Sequence, residues 1–417
     1  MLRRLLKLAF VFFVILMATQ APFIYRRYQL GRLSAKIAEL NSQRAVDQLD
    51  NHADYKGVIH VHSFLGGHSP GTLAEIIEAA QSNRLDFVVM AEHPSAHFDT
   101  RAVTLRGTHG GVLFVDGNET SESAQDRFLT FGGSDTIPPI NEPAPASASS
   151  SQAIIDRAKA AGQLVFVAHP ETYTGWQTTA NFDGMEIYNL HADAKNINRL
   201  SLFFVGLWSY RNYASLLWTR FYDSPDETLK RWDELTAQPG RRVVAIAGND
   251  AHANIGLSFQ ELTGRPILQL KLDPYERSFQ VVRTHVLLPR DQPLTRERLL
   301  SAIAQGHAYV SFDLLSDATG FRFTVTNGAE EKLMGDEITL TAGETNLHVQ
   351  TPLPSRIRLM KDGQLFSEEK ETVRHEWKIN QPGVYRVEVY LPQLPAPLNE
   401  RPWIISNPIY ARMDDGR

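Results

Sequence analysis

The stretch Val58-Ile59-His60-Val61-His62 determines the fold and chemistry expected of this chain, because it places two histidines two residues apart in an apolar run. A β-strand alternates its side chains between two faces, so both imidazoles would point the same way. Later apolar runs end in Ala91-Glu92-His93, Gly117-Asn118-Glu119, Ala168-His169-Pro170 and Gly248-Asn249-Asp250-Ala251-His252. Five strand ends that carry His or carboxylate in one region predict a shared site.

The segments between these strand ends have helical patterns. Thr72 with Glu75 three residues later is a capping box, and the apolar spacing that follows predicts a helix. Short strands that alternate with helices indicate βα units and a parallel sheet or barrel. In such barrels the reacting groups lie at the carboxyl ends of the strands, which is where the candidate ligands fall.

Composition limits the partners and the ligand chemistry. The 417 residues are 43% hydrophobic, which allows two domains with sizeable cores. The net charge of −5 gives no nucleic-acid signature, so we expect no nucleic-acid partner. Since the chain has no cysteine, disulfides and thiolate metal sites are excluded and any metal must use nitrogen and oxygen ligands.

The N-terminus predicts export. Basic residues precede an apolar run from Leu8 to Ala18, and the apolar character resumes after Pro22. A cleaved signal with its cut near Ala18 or Ala21 is one interpretation, and an uncleaved membrane-spanning anchor is the other. We favour the anchor, with the catalytic domain on the periplasmic or extracytoplasmic side.

We divide the chain where the pattern of apolar, polar and turn residues changes. From about residue 317, short alternating strands separated by turn signals predict an antiparallel β-sandwich. The predicted segments are an anchor or signal at 1–27, a helical stalk at 28–52, a metallohydrolase domain at 53–316 with an insertion at about 193–240, and the sandwich at 317–417.

Two stretches stand out from this division. Ile137 to Gln152 is rich in Pro, Ala and Ser and predicts a loop or lid. The aromatic stretch from Leu200 to Trp218 is either a helix on the membrane surface or an insertion packed on the barrel. We favour the packed insertion, because aromatic stripes more often belong to a core.

The strand ends supply the ligands of a metal centre. Imidazole and carboxylate without thiolate suit Zn, Mn or Fe(II). Two or three such ions would lower the pKa of a bridging water and clamp the attacking and leaving oxygens, which predicts hydrolysis, most naturally of a phosphoester. The candidate metal ligands are His60, His62, His68, Glu92, His93, Glu119, His169, Asp250 and His252.

Several of these assignments have alternatives. Any one of the histidines alone could be a core residue, and His68 could belong to a loop. Glu92 is either a ligand or the partner that orients His93. Glu186 could orient a ligand or substrate, or could be a charge at a strand end.

The five motifs resemble, in order and spacing, those of the PHP superfamily of metal-dependent phosphoesterases, over about residues 57–312. The tail from Trp403 to Tyr410 is similar to the branch that includes carbamate-hydrolysing enzymes. The resemblance implies a distorted (β/α)7 barrel, within the α/β class, with up to three ions.

Carried over by motif, the resemblance implies three sets of ligands. One ion would take His60, His62, Glu119 and Asp250, a second Glu119 and His169, and a third His93 and His252 with a residue after the first motif. We expect Glu119, Asp250 and His169 to be catalytic.

Three departures from the family pattern affect the metal count. His68 and Glu92 stand where aspartates are usual, and no histidine lies between Glu119 and His169. We therefore expect two ions.

Three functions follow from these observations. The first is an exported, membrane-anchored hydrolase of a small phosphorylated ester. The second is amide or carbamate hydrolysis at the same site. The third is a PHP scaffold that has lost catalysis and binds a ligand at the cell envelope.

Overall fold

The structure is a computed structural model. It describes residues 2–46, 51–121, 125–133, 150–194, 199–220, 222–254, 256–260, 266–271, 273–341 and 344–413.

Nine α-helices lie in these ranges: α1 Leu2–Gln43, α2 Leu73–Ser82, α3 Thr100–Val103, α4 Ser150–Ala160, α5 Leu190–Ala194, α6 Arg199–Tyr213, α7 Asp226–Thr236, α8 Tyr275–Ser278 and α9 Arg296–Gln305. Single 3₁₀ turns or short 3₁₀ helices lie at Phe64–Gly66, Gly175–Gln177, Ser215–Arg220 and Leu398–Glu400.

The strands of the first two thirds of the chain are β1 His52–Val61, β2 Phe87–Met90, β3 Gly107–His109, β4 Val112–Val115, β5 Gly117–Ser121, β6 Arg127–Gly132, β7 Gln163–Ala168, β8 Gly184–Asn189, β9 Val244–Ala251, β10 Gly256–Gln260 and β11 Pro266–Lys271. The later strands are β12 Arg283–Pro289, β13 Ala308–Ser311, β14 Arg322–Asn327, β15 Glu330–Leu333, β16 Glu337–Thr339, β17 Thr345–Lys361, β18 Gln364–Lys378, β19 Gly383–Tyr390, β20 Ile404–Ser406 and β21 Ile409–Arg412.

Helix α1 has two different halves. The large apolar side chains between Leu5 and Met17 are exposed, whereas Leu30, Leu33 and Leu40 are buried in the main hydrophobic core. Its length and composition are those of a membrane anchor or a signal sequence. The helix continues without a break across the predicted boundary at residue 27, so the predicted stalk is helical, as expected, up to Gln43.

The strands that bear the candidate ligands pair with one another. β1 pairs in parallel with β2 and β9, and the parallel order continues from β9 to β8 and β7. β7, β6 and β5 then pair antiparallel, and a bridge between Glu92 and Asn118 links the end of β2 to β5. The pairings thus run from β1 through β9, β8, β7, β6, β5 and β2 back to β1. The ends of these strands therefore face a common centre.

The C-terminal strands continue this sheet. The first half of β1 pairs with β12, which leads through β13 and β20 to β19. The pairs among β14, β15, β17, β18 and β19 are antiparallel, as predicted from their alternation. The segments 346–350 and 356–359 are two halves of one long strand, β17. Pro352 and Pro354 lie between the halves, where the register of β17 with β18 is interrupted.

The α/β class and the long apolar N-terminal helix are confirmed. Helix α2 has Thr72 as its N-cap with the predicted capping box. Residues 137–149 of the Pro/Ala/Ser-rich stretch lie outside the described residues. Because α4 begins at Ser150, the last three residues of that stretch are helical and not part of a loop. The aromatic insertion packs partly on the body, since Val205 and Trp218 are buried in the core, while Phe203 stays exposed.

Candidate metal centre

Three of the candidate ligands lie at irregular points of the backbone. His60, His169 and Asp250 have φ angles of 72°, 50° and 47°, in the left-handed region that side chains with a Cβ rarely adopt. The register of β1 with both parallel neighbours also shifts between Ile59 and Val61. Such conformations cost about 1–3 kcal/mol each and concentrate at functional sites. The fold therefore holds these three side chains at the ends of β1, β7 and β9 at an energetic cost.

The Glu119 carboxylate lies at the centre of the cluster. Its Oε2 is 3.6 Å from Nε2 of His60, 3.6 Å from Nε2 of His62 and 3.4 Å from Nδ1 of His93. Its Oε1 is 3.3 Å from Nε2 of His169. One carboxylate thus faces four imidazoles, as a ligand that bridges two cations must.

Asp250 faces the same space from β9. Its Oδ1 is 3.5 Å from Nε2 of His60 and 3.4 Å from Nε2 of His62. The same oxygen is 3.2 Å from Nδ1 of His252, and Oδ2 is 3.4 Å from Nε2 of His169. The two carboxylates therefore share His60, His62 and His169.

The atoms that face this space are buried and have no hydrogen-bond partner among the described residues. They are Nε2 of His60, His62 and His169, Oε2 of Glu119 and Oδ1 of Asp250. Buried polar atoms without a partner are rare, and each needs an explanation. Cations bound among them would satisfy these atoms, so the residues fit a metal centre.

Three groups of side chains bring one ligand atom each within 4.8 Å of the others. They are His62 with His93 and His252, His60 with His62 and Glu119, and His60 with His169 and Asp250. Seven of the nine predicted metal ligands belong to at least one group. Nitrogen and oxygen ligands without sulfur are compatible with Zn, Mn and Fe(II).

The remaining two predicted ligands lie elsewhere. Both oxygens of Glu92 are occupied, since they accept hydrogen bonds from Oγ and N of Ser63 and from Oγ1 of Thr104. Glu92 thus secures the segment after His62 and does not point into the cluster. His68 is exposed, with its ring 4.8 Å from that of His93, and it belongs to none of the three groups.

Glu186 orients one ligand of the cluster. Its Oε1 lies 2.6 Å from Nδ1 of His60, and its Oε2 accepts the backbone N–H of His169 at 3.1 Å. A hydrogen bond on Nδ1 leaves Nε2 of His60 free to face the cluster. Gly248 makes room for this carboxylate, because a Cβ there would lie 1.9 Å from Oε1.

The carboxylates and imidazoles of the cluster shift one another's pKa. Burial disfavours ionised carboxyls, but His60 and the other neighbouring imidazoles outweigh it and hold the pKa of Glu119 and Asp250 well below the usual range. Burial, reinforced by His252, lowers the pKa of His62 well below its usual value. The carboxylates in turn outweigh burial and raise the pKa of His60 well above its usual value and that of His169 to about 10. Metal binds neutral imidazoles, so its binding would release the protons of His60 and His169.

Three neighbouring side chains were not predicted as part of the site. The Arg127 guanidinium lies 3.3 Å from Oε1 of Glu119, and the Glu171 carboxylate lies 3.3 Å from Nδ1 of His169. The ring of His191 lies 5.2 Å from that of His252. Of these three, only Glu171 could have been recognised from the sequence, because it follows the predicted ligand His169 by two residues.

Comparisons with known proteins find few similarities. No family model matches the chain, and neither does any curated protein. The solved structures that are similar to parts of it include three with the following scores. The first is PsfC from Pseudomonas syringae, with a TM-score of 0.32 at 13% identity over 63% of this chain and 93% of that one.

The second is Endonuclease Q in complex with a 27-mer duplex that carries an abasic lesion, with a TM-score of 0.32 at 13% identity over 60% of this chain and 56% of that one. The third, from Bifidobacterium adolescentis, is described as a metal-dependent phosphoesterase, with a TM-score of 0.26 at 12% identity over 47% of this chain and 87% of that one. Scores this low do not establish a shared fold, so the evidence for a function lies in the side chains of the cluster.

Proposed function

We propose that the chain is a metal-dependent hydrolase that acts on a phosphoester at the His/carboxylate cluster. The observation that carries the proposal is the set of buried, ligand-type nitrogen and oxygen atoms that have no hydrogen-bond partner among the described residues. The PHP-like order of the motifs supports it, and with it a barrel of the (β/α)7 kind.

The proposed ligand sets are those of the PHP resemblance, and they overlap the three observed groups in part. His60, His62, Glu119 and Asp250 would hold one ion, and Glu119 with His169 a second. His93 and His252 would contribute to a third, although two ions remain our count. Such ions, when bound, supply a water of lowered pKa and neutralise the charge that develops on the attacking and leaving oxygens.

The chain's own residues supply orientation and charge. Glu186 keeps Nε2 of His60 turned to the cluster, and Glu119 and Asp250 provide the negative charge that retains cations. We propose Glu119, Asp250 and His169 as the catalytic residues, since each faces the shared space.

Arg127 favours a phosphoester over a carbamate or amide. Its side chain is 36% exposed, so the guanidinium lies at the edge of the buried cluster with part of its surface open. Guanidinium binds phosphate oxygens in a bidentate manner, and a neutral amide or carbamate offers no comparable partner.

The setting of the enzyme is part of the same proposal. We propose that α1 is an uncleaved anchor and that the body, comprising a hydrolase domain at 53–316 and a sandwich at 317–417, lies outside the cytoplasm. The hydrogen bond from Nε1 of Trp208 to Oε1 of Gln20 supports retention of the apolar half of the helix, because a cut after Ala21 would remove Gln20.

Metal content and substrate class test the proposal. The full chain in detergent should contain about two ions by elemental analysis. His60→Ala/His62→Ala should lose them, whereas the matched control His307→Ala/His348→Ala, outside the cluster, should keep them. A wild-type protein that binds no added Zn or Mn would refute the hydrolase and leave a binding scaffold.

The substrate panel should contain p-nitrophenyl phosphate, bis-p-nitrophenyl phosphate, p-nitrophenyl acetate, a p-nitrophenyl carbamate and a short oligonucleotide. We expect hydrolysis of a small phosphoester, and its loss in Arg127→Met with the metal content unchanged. Preference for the carbamate would assign the second function, and preference for the oligonucleotide would overturn the expectation of a small-molecule substrate.

A further inference from the structure

Helix α6 packs directly on α1 where the exposed apolar run of α1 ends. The ring of Phe204 stacks on that of Phe23 at a centroid distance of 5.1 Å. Nε1 of Trp208 donates to Oε1 of Gln20 at 3.1 Å, and the guanidinium of Arg27 donates to the backbone oxygen of Trp208.

The contacts also fix the relative direction of the two helices. Phe204 meets Phe23, and Tyr213, further along α6, meets Arg27 and Gly31, further along α1. Apart from the long side chain of Trp208, which reaches back to Gln20, the contacts follow the same order along both helices, so the helices point the same way. The beginning of α6 therefore lies nearest the apolar half of α1, and Tyr213 lies nearest the body.

The level of this contact matches the expected edge of a bilayer. A span needs about 20 residues, so a span that begins near Leu5 ends near Ile24. Tyr25 and Tyr28 follow with most of their side chains exposed, and tyrosine is typical of the boundary between lipid and water. Phe203, beside Phe204, stands at this boundary.

The solvent-exposed face of α6 is apolar at the end that lies near the proposed span of α1. Phe203 is 59% exposed and Leu207 is 68% exposed, and they lie one helical turn apart on the same face. Arg211, one turn further, is exposed as well. The face thus changes from apolar to cationic with increasing distance from the apolar half of α1.

We propose that the face of Phe203 and Leu207 is a lipid-contact surface, with which the first turns of α6 enter the bilayer interface beside the anchor. The partner is the bilayer itself, because the face continues the exposed apolar surface of α1 at the level where that surface ends. An apolar face that enters lipid beside a span fixes the orientation of the body as well as its attachment. This inference depends on the proposed anchor and is independent of the proposed hydrolysis.

Site-specific labelling tests the proposal in the full chain. The chain has no cysteine, so a single introduced cysteine can be labelled with an environment-sensitive fluorophore such as NBD. The positions are Phe203→Cys and Leu207→Cys, with Val11→Cys as the reference inside the span. Phe366→Cys and Leu365→Cys, exposed on β18, are controls matched in residue type and exposure.

Each labelled protein is reconstituted in nanodiscs of phosphatidylcholine and phosphatidylglycerol, with or without brominated acyl chains. We expect blue-shifted emission and loss of emission in brominated lipid at Val11 and Phe203, less loss at Leu207, and none at the two β18 positions. Loss at Val11 with none at Phe203 and Leu207 would overturn the lipid contact and leave the anchor. No loss at Val11 would overturn both, and the metal and substrate assays would be unaffected by either result.

Discussion

Replacing Glu186 by Gln should weaken metal binding without removing a ligand. In the wild type, Oε1 faces Nδ1 of His60, and Oε2 accepts from N of His169 at 3.1 Å and from Nδ2 of Asn189 at 3.0 Å. A glutamine has one acceptor oxygen and one NH2 donor. Its oxygen can accept either from His60 or from the two N–H groups of His169 and Asn189, but not from both sides.

The two orientations of the amide have different costs. If the oxygen stays on His60, the NH2 group faces two N–H donors, which leaves buried groups unsatisfied at about 1–3 kcal/mol. If the NH2 group faces Nδ1 of His60, the imidazole proton moves to Nε2, the atom that the metal needs. Loss of such an orienting partner typically reduces metal affinity about 10–100-fold. We therefore expect a weakening of that size, about 1.4–2.7 kcal/mol.

Competition with a chromophoric chelator measures the affinity for Zn or Mn, and thermal unfolding of the apo protein measures the stability. Glu171→Gln is the matched control, since its side chain is 42% exposed beside Nδ1 of His169 and an exposed pair contributes about 0.2–1 kcal/mol. If Glu186→Gln bound metal as tightly as the wild type, the assignment of Glu186 as the group that orients His60 would be wrong.

Three further perturbations should distinguish effects on metal binding by the cluster from effects on the stability of the fold. Gly248→Ala would place a Cβ 1.9 Å from Oε1 of Glu186, so it should reduce metal affinity in the same assay and cost about 1–3 kcal/mol of stability by overpacking; an unchanged affinity would contradict this. Dialysis against EDTA should lower the Tm of the wild type, and Zn or Mn should restore it; a Tm that does not respond would argue against a bound metal. His285 is buried between Asp54 and Asp313, whose carboxylates outweigh burial and raise its pKa to about 9. Because this pKa lies above that of the unfolded chain, the stabilisation is complete below about pH 6.5 and is lost as the pH rises through 9, by roughly 3 kcal/mol in total. The Tm of the wild type should fall across that range more than the Tm of His285→Gln, and parallel curves would refute the assignment.

Local patterns in the sequence predicted the strand ends well, because each motif combines an apolar run with a ligand-type residue. The groups formed by His60, His62, His169, Asp250 and their neighbours follow from strand ends that meet at one edge. Glu92 shows the limit of this reasoning. Adjacent residues of an extended chain point to opposite sides, so Glu92 and His93 cannot both face the cluster unless the backbone turns.

The side chains that sequence reasoning missed depend on contacts between distant segments. Arg127 reaches Glu119 because β5 and β6 form a hairpin in which Ser121 pairs with Arg127 and Glu119 with Leu129. No periodic pattern in the sequence shows this register. The sequence alone leaves the role of Glu186 open between a group that orients a ligand or substrate and a charge at a strand end. The parallel pairing of β8 with β9 places its carboxylate beside Nδ1 of His60.

If α1 is the proposed anchor, its continuity limits which substrates the proposed hydrolase can reach. A helix of 42 residues is about 63 Å long, of which a bilayer would cover about 30 Å. The remaining half is packed into the core through Leu30, Leu33 and Leu40, so no flexible tether would separate a bilayer around the first half from the body. The metal cluster would consequently be held at a constant height above the lipid headgroups. An enzyme mounted in this way samples a thin layer of the compartment, and a substrate must diffuse into that layer to be cleaved.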